Sequence, residues 1–226
     1  MRSPPPHASP AIMLLQLALD TPQAGTVRRL LEQTAVHVDI IELGTPLLIR
    51  YGIDIISEVR RDYPEAKILA DLKIVDAGAV ESGLAFDAGA DIVTVLGTAH
   101  PITLREAGEQ AKESGGRIMA DLITAREAVF LARALDLSGV DFICLHTASD
   151  TLEREDSKPM PERIDQVRAV VHQAGLAVAG GLNPRMIKRL VPHEPDIVVV
   201  GNYVTGNADP GGAVRRIREA MHQADE

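Results

Sequence analysis

The stretch Asp71-Leu72-Lys73-Ile74-Val75-Asp76-Ala77-Gly78 sets an acid, a base and a second acid at the end of an apolar run, and the rest of the chain is organised around it. Lys67-Ile68-Leu69-Ala70 has the pattern of a short buried strand and Ala79 to Ala88 that of a helix, so the three charges fall at a strand's C-terminal mouth. Side chains alternate along a strand, which predicts Asp71 and Lys73 on one face and Asp76 beyond it in the turn. An ion pair that merely closes the strand accounts for any single Asp-x-Lys. The second acid, the glycine that tightens the turn and the βα setting together favour chemistry.

Outward from this stretch, apolar strand-like runs alternate with helical patterns eight times, the sequence sign of βα units and a parallel sheet. The strands are expected at Leu14 to Leu19, Val38 to Leu43, Lys67 to Leu72, Asp91 to Leu96, Arg117 to Leu122, Asp141 to Leu145, Leu176 to Ala179 and Asp196 to Val200. Helical spacing of apolar residues marks Thr26 to Thr34, Ile53 to Arg61, Leu104 to Glu113, Arg126 to Ala134, Ile164 to Gln173, Pro184 to Leu190 and Gly212 to His222. Eight units in this length predict the α/β class and a compact (β/α)8 TIM barrel, a single domain over residues 13–226. An open doubly wound sheet is the alternative, but no G-x-G-x-x-G follows the first strand. No internal repeat is visible. The longest polar interruption, Thr147 to Glu162, follows the sixth strand, where either a lid or a solvated insertion of no consequence is expected.

At 226 residues and 46% hydrophobic, the chain is long enough for one full core. A formal charge of -9 with no basic run argues against nucleic acid or an anionic membrane surface as partner. It does not exclude small anions, which helix N-termini bind through backbone N–H groups. One cysteine, Cys144, rules out an internal disulfide and fits a reducing compartment; its apolar strand setting favours packing over nucleophilic chemistry. Residues 1–12 are Pro-rich and expected to be a disordered extension, with Met13 a second possible start. The apolar piece after it is too short to span a bilayer and is needed as the first strand, so the expected location is the cytoplasm.

Residues ending the strands of a barrel face one mouth. Asp20, Glu42, Asp71 with Lys73, Asp121 and His146 end five different apolar runs and are expected to meet there. A lone inward acid reads equally as a core carboxylate paired with a base. Four carboxylates and one lysine repel one another unless a divalent cation or a deliberate arrangement of pKa values holds them.

Leu17-Ala18-Leu19-Asp20, Ile41-Glu42-Leu43-Gly44-Thr45-Pro46, the central Asp-x-Lys-x-x-Asp, Gly89-Ala90-Asp91-Ile92-Val93-Thr94-Val95-Leu96-Gly97, Asp121-Leu122-Ile123 and Ala179-Gly180-Gly181 stand in one order. That ordered set resembles the hexulose phosphate synthase and 3-keto-L-gulonate-6-phosphate decarboxylase group of the orotidine monophosphate decarboxylase suprafamily. Asp121, where the decarboxylases typically carry Glu, and Val95-Leu96-Gly97 tilt the resemblance toward the synthases. The resemblance implies Mg2+ held by Glu42 and Asp71, Lys73 stabilising an enediolate oxygen, and substrate contacts from Asp20 and Asp121. It further implies a homodimer in which Asp76 reaches the neighbouring subunit's site. His146 is then the base or acid at the reacting carbon, unless it is simply a hydrogen-bonded histidine at the barrel top.

Phosphate is expected on the last two βα turns, Gly180-Gly181 and Gly201-Asn202, although tight-turn glycines alone explain either pair. Two departures stand out: Asn202 occupies a position where several members have Arg, and Thr147-Ala148-Ser149-Asp150 lacks the usual Gly and Gln after the histidine. The implied activity is a Mg2+-dependent aldol lyase joining formaldehyde to D-ribulose 5-phosphate. Decarboxylation of a 3-keto sugar acid phosphate and a catalytically idle sugar-phosphate binding barrel are the alternatives.

Overall fold

The computed structural model describes residues 13–151 and 160–223; the expected extension over residues 1–12 and residues 152–159 of the expected loop lie outside the described residues. In chain order the elements are β1 (Leu14–Leu19), α1 (Ala24–Thr34), β2 (Ile40–Leu43), α2 (Thr45–Tyr51), α3 (Asp54–Asp62), β3 (Lys67–Ile74), α4 (Gly78–Asp87), β4 (Ile92–Leu96) and α5 (Pro101–Ser114). They continue as β5 (Arg117–Asp121), α6 (Ala128–Ser138), β6 (Phe142–His146), α7 (Met160–Arg168), β7 (Gly175–Ala179), α8 (Pro184–Leu190), β8 (Ile197–Val200), α9 (Asn202–Thr205) and α10 (Pro210–Met221). The strands are parallel and close into one eight-stranded barrel, β1 pairing with both β2 and β8. The expected fold is therefore the observed one.

Strands buried on both faces read as continuous apolar runs, which is why eight were visible in the sequence. Inward-facing Ala18, Ile40, Leu69, Ile92, Met119, Ala177 and Ile197 fill the barrel, while Leu17, Ile41, Ile68, Val93, Ile118, Ile143 and Val198 pack outward against the helices. The helices answer with one apolar stripe each, Ile55, Ile56 and Val59 on α3 and Val214, Ile217 and Met221 on α10. Above the apolar filling, the C-terminal ends of the strands carry the polar residues.

Several boundaries differ from the sequence reading for local reasons. β2 begins at Ile40 rather than Val38, because a 3-10 turn at Ala35–His37 occupies the approach. β3 runs on to Ile74 rather than ending at Leu72; its ladder to β4 breaks after Ala70 and resumes at Ile74 with Val95. Within that break Lys73 is left-handed at φ 49°, and its N–H is taken by Thr94 Oγ1 at 2.8 Å. Asp71 and Lys73 do share the barrel mouth, but through this bulge rather than simple alternation. Helix α2 went unread because it is only seven residues long, about two turns, with Pro46 in its first turn. Helix α7 stops at Arg168, short of Gln173, because Asp136 takes the N–H groups of His172, Gln173 and Ala174.

The opposite, N-terminal rim shows a repeat that the sequence hides. Asp39, Asp91, Asp141 and Asp196 lie at the starts of β2, β4, β6 and β8, and each carboxylate accepts a backbone N–H from the preceding strand: Leu15 at 2.7 Å, Ile68 at 2.8 Å, Ile118 at 2.9 Å and Leu176 at 2.6 Å. Each aspartate's own N–H returns to the carbonyl of that same residue. Three are also held by an arginine from a neighbouring helix: Arg218 to Asp39 at 2.7 Å, Arg60 to Asp91 at 2.5 Å and Arg168 to Asp196 at 3.1 Å. Asp141 has no such ion pair among the described residues. Burial works against the Asp91 carboxylate, but the Ile68 N–H, Arg60 and Lys67 outweigh it and hold its pKa below the usual value.

Candidate active site

A cavity of about 700 Å3 opens at the C-terminal mouth and takes lining residues from all eight strands or the turns that follow them. Asp20, Glu42, Asp71, Lys73, Asp121, His146, Gly180, Gly181, Gly201 and Asn202 all line it, so the residues read from the strand ends do converge. Asp76 does not. It sits exposed in the turn after β3, its carboxylate accepting the N–H of Ala77 at 2.8 Å. A second hollow of about 390 Å3 at the strands' N-terminal end contains none of these residues.

Asp71, 4% exposed, is the most heavily held acid of the cavity. One oxygen accepts from Thr94 Oγ1 at 2.8 Å; the other faces Thr45 Oγ1 at 2.8 Å and the Lys73 ammonium, which also lies 3.1 Å from Thr45 Oγ1. Thr94 thereby donates to Asp71 while accepting the N–H of the left-handed Lys73, fixing both partners. Burial disfavours the Lys73 ammonium, yet Asp71, with Asp121 and Glu42 behind it, raises its pKa above the ordinary lysine value. A lysine so held stays protonated and suits electrostatic stabilisation, not proton abstraction.

Glu42 and Asp20 lack a cationic partner of this kind. Burial, then the charges of Asp71 and Asp20, push the Glu42 carboxyl well above its usual pKa, against a hydrogen bond from Gln16 Nε2 at 2.7 Å. Burial and Asp71 raise Asp20 likewise, with Lys73 and His146 opposing. Gly44 lets Asp20 occupy this place: a Cβ there would overlap Asp20 Oδ1 and lie 2.9 Å from the Leu19 carbonyl. An excess of buried carboxylate over cation is an environment that a divalent ion would relieve. No group of three or more His, Cys, Asp or Glu side chains among the described residues is arranged to hold a metal. Mg2+ does not require one, since it is commonly held by one or two carboxylates with water and substrate oxygens completing the shell. The donor set of Glu42 and Asp71 fits that ion.

His146 Nδ1 lies 2.9 Å from Asp121 Oδ2, and the other Asp121 oxygen accepts the Ile123 N–H at 2.9 Å. An ionised carboxylate only accepts, so Nδ1 carries a proton, and in the neutral ring Nε2 is the nitrogen with the lone pair. His146 thus has the orientation of a general base, with Asp121 setting its tautomer.

The two glycine turns differ in what they demand. Gly180 has φ 110° and a Cβ there would overlap the Thr147 carbonyl, and Gly181 has φ 65°, so both need glycine. At Gly201 the nearest atom to a Cβ would be 3.6 Å away, an ordinary contact. Gly201 precedes α9, whose first N–H groups, at Asn202 and Tyr203, have no acceptor within the helix. Gln16, Thr45 and Thr94 were not read from the sequence. Gln16 lies four residues before Asp20 on the same inward face, a signal that alternation carries; Thr94 comes into place through the neighbouring strand and Thr45 through the start of α2. Arg163 on α7, another residue not singled out, donates to Thr147 Oγ1 at 3.1 Å beside the Gly180 turn.

A family model described as orotidine 5'-phosphate decarboxylase / HUMPS family matches residues 13–217. The chain belongs to this family. Among HUMPS relatives, the 3-hexulose-6-phosphate synthase of Bacillus subtilis (strain 168) is 35% identical over 211 residues, covering 93% of this chain and 100% of that one. The crystal structure of 3-hexulose-6-phosphate synthase from Salmonella typhimurium superimposes with a TM-score of 0.88 at 38% identity, over 94% of this chain and 100% of that one. A 3-keto-L-gulonate-6-phosphate decarboxylase from Vibrio cholerae O1 biovar El Tor gives 0.83 at 26% identity, over 93% and 97% of the two chains. Among the described residues no helix is long and apolar enough to cross a membrane.

Proposed function

We propose that this HUMPS-family barrel is a Mg2+-dependent aldol lyase that condenses formaldehyde with D-ribulose 5-phosphate to D-arabino-hex-3-ulose 6-phosphate. The observation that carries the reading is the pairing of a tautomer-fixed base, His146 on Asp121, with a protonated Lys73 in the same cavity. The synthase names of the Bacillus and Salmonella relatives support the choice of substrates.

Glu42 and Asp71 would hold Mg2+, which when bound supplies positive charge against negative charge developing on substrate oxygens. His146 Nε2 takes the proton from carbon 1 of ribulose 5-phosphate, leaving an enediolate whose electron pair then attacks the formaldehyde carbon. The formaldehyde C=O pair becomes an alkoxide, which a proton from His146 neutralises, restoring the base. Lys73 stabilises the enediolate oxygen, Asp20 contacts substrate hydroxyls, and the phosphate rests on the N–H groups of the Gly180-Gly181 and Gly201-Asn202 turns. Asn202 contributes no charge, so this phosphate site relies on backbone N–H groups.

The protein acts as a homodimer in this reading, in the cytoplasm. What supports the dimer is an apolar surface beside Asp76: exposed Val75 in the turn, Val80 and Leu84 one turn apart on α4, and Ile102 on the packed neighbour α5. The deciding experiment incubates purified protein and Mg2+ with ribulose 5-phosphate in deuterium oxide, with and without formaldehyde, and in parallel with 3-keto-L-gulonate 6-phosphate. Exchange at carbon 1 and consumption of formaldehyde are expected. Turnover of the keto acid phosphate alone would make the protein a decarboxylase, and binding without either reaction an idle barrel. A fully active monomer in sedimentation would remove Asp76 from the mechanism.

A further inference from the structure

Gln16 lies on β1 one layer below Glu42, opposite Ile40 in the strand register, and reaches up so that its Nε2 donates to Glu42 Oε2 at 2.7 Å. It is 2% exposed, and its Oε1 is the sole buried side-chain nitrogen or oxygen without a hydrogen-bond partner among the described residues. Around it the barrel filling is hydrocarbon, with Ile40, Leu69, Ile92 and Ile197 packed together, yet Gln16 lines the mouth cavity. An amide in that layer costs stability unless both its ends are used, since a buried acceptor left unpaired has lost its water and gained nothing in exchange. A leucine or methionine there would pack as well without that cost. The amide therefore has work at the site above it, and the one group it touches is Glu42.

We infer that Gln16 is a positioning residue for the metal: it pins one oxygen of Glu42 from below, turns the other toward the cavity, and keeps its own Oε1 as acceptor for a water or hydroxyl there. This rests on the proposed Mg2+ site at Glu42 and Asp71. Side chains that hold a ligating carboxylate in place typically account for about a ten- to hundredfold difference in metal affinity. Glu42 without Gln16 is free to rotate toward Asp20 or Asp71, and a cation must first reorder it.

The test is Gln16→Met, which keeps length and volume and removes both polar atoms, with Gln16→Asn as a second variant whose amide is too short to reach Glu42. Mn2+ binding is titrated by electron paramagnetic resonance on each protein, and the melting temperature is measured in excess EDTA. Mn2+ affinity is expected to fall about ten- to hundredfold in both variants, while the metal-free melting temperature stays level or rises for the methionine and falls by a few degrees for the asparagine, whose shortened amide is left unpaired. A wild-type protein that binds Mn2+ and variants that bind it equally well overturn the role of Gln16 alone. A wild-type protein that binds no Mn2+ overturns the metal site itself and this role with it. Melting temperatures depressed by about 10 °C or more in both metal-free variants, roughly 2.5–5 kcal/mol for a barrel of this size, make Gln16 a packing residue and overturn the inference.

Discussion

Asp121→Asn separates the role of Asp121 in setting the His146 tautomer from its role in shape. Asp121 serves two donors, His146 Nδ1 at one oxygen and the Ile123 N–H at the other, both at 2.9 Å. Asparagine has one oxygen for the two. Turned toward His146, it leaves the Ile123 N–H facing an NH2 group at a residue 3% exposed, a cost of about 1–3 kcal/mol. Turned toward Ile123, its NH2 donates to His146 Nδ1, and the imidazole answers by moving its proton to Nε2. The second arrangement keeps every hydrogen bond and removes the base. Loss of a general base costs on the order of 10² to 10⁴ in rate, about 2.7–5.4 kcal/mol at 1.36 kcal/mol per decade. The assay is carbon 1 exchange of ribulose 5-phosphate in deuterium oxide, followed by proton NMR beside the melting temperature and the KM. The expected result is exchange slowed at least a hundredfold, with KM within a few-fold and melting within a few degrees. Exchange at the wild-type rate would refute both the tautomer argument and His146 as base.

Chelation gives a second expectation: excess EDTA abolishes turnover and added Mg2+ restores it, and full activity in metal-free protein would end the Glu42 and Asp71 assignment. Gly44→Ala has a backbone, φ -68° and ψ 154°, that alanine accepts, so its effect is the overlap of the new Cβ with Asp20 and the Leu19 carbonyl. It should raise KM for the sugar phosphate and cost about 1–3 kcal/mol of stability as the overpacked strand ends shift; an unchanged KM would place Asp20 away from substrate. Gly181→Val forces a branched side chain into φ 65° and should raise KM through loss of the phosphate turn, tested against inorganic phosphate as competitor. Asp91 has a lowered folded pKa, so it stabilises the fold above its unfolded value near 3.8 and loses that contribution as pH falls through the folded value. Asp91→Asn should therefore be about 1–2 kcal/mol less stable than wild type at pH 7, with the gap closing below pH 4 in urea titrations; a gap independent of pH would exclude the charge as its source.

What the sequence revealed and concealed follows from which interactions are local. Asp20, Glu42, Asp71, Asp121 and His146 each end an apolar run, and parallel strands in a barrel bring such ends together without further information. Gln16 obeys the same alternation but lies one step deeper, inside what reads as a plain strand. Thr94 acts because β3 and β4 lie side by side, and Thr45 because α2 opens just past β2 beside the end of β3, both nonlocal facts. The left-handed Lys73 has no sequence mark, since lysine has no preference for that conformation; its N–H bond to Thr94 stabilises it from the next strand. The basal aspartates escaped notice for the same reason, because each is defined by the strand it reaches and not by its spacing.

Those aspartates divide the barrel into four quarters, each a pair of strands latched by one carboxylate: β1 with β2, β3 with β4, β5 with β6, β7 with β8. The arginines join quarters instead. Arg60 on α3 ties the first to the second, Arg168 on α7 ties the third to the fourth, and Arg218 on α10 ties the fourth back to the first. Among the described residues, the join from second to third, where Asp141 has no arginine, is the one left to the β4–β5 ladder and helix packing. The ring is thus a chain of quarters in the order three, four, one, two, with its open ends meeting at the middle of the sequence. Partial unfolding should begin by parting there, so the amide of Arg117, which donates to the Asp91 carbonyl across this seam, should exchange with solvent before those at the other three seams, and new termini placed at residues 115 and 116 should disturb the fold least.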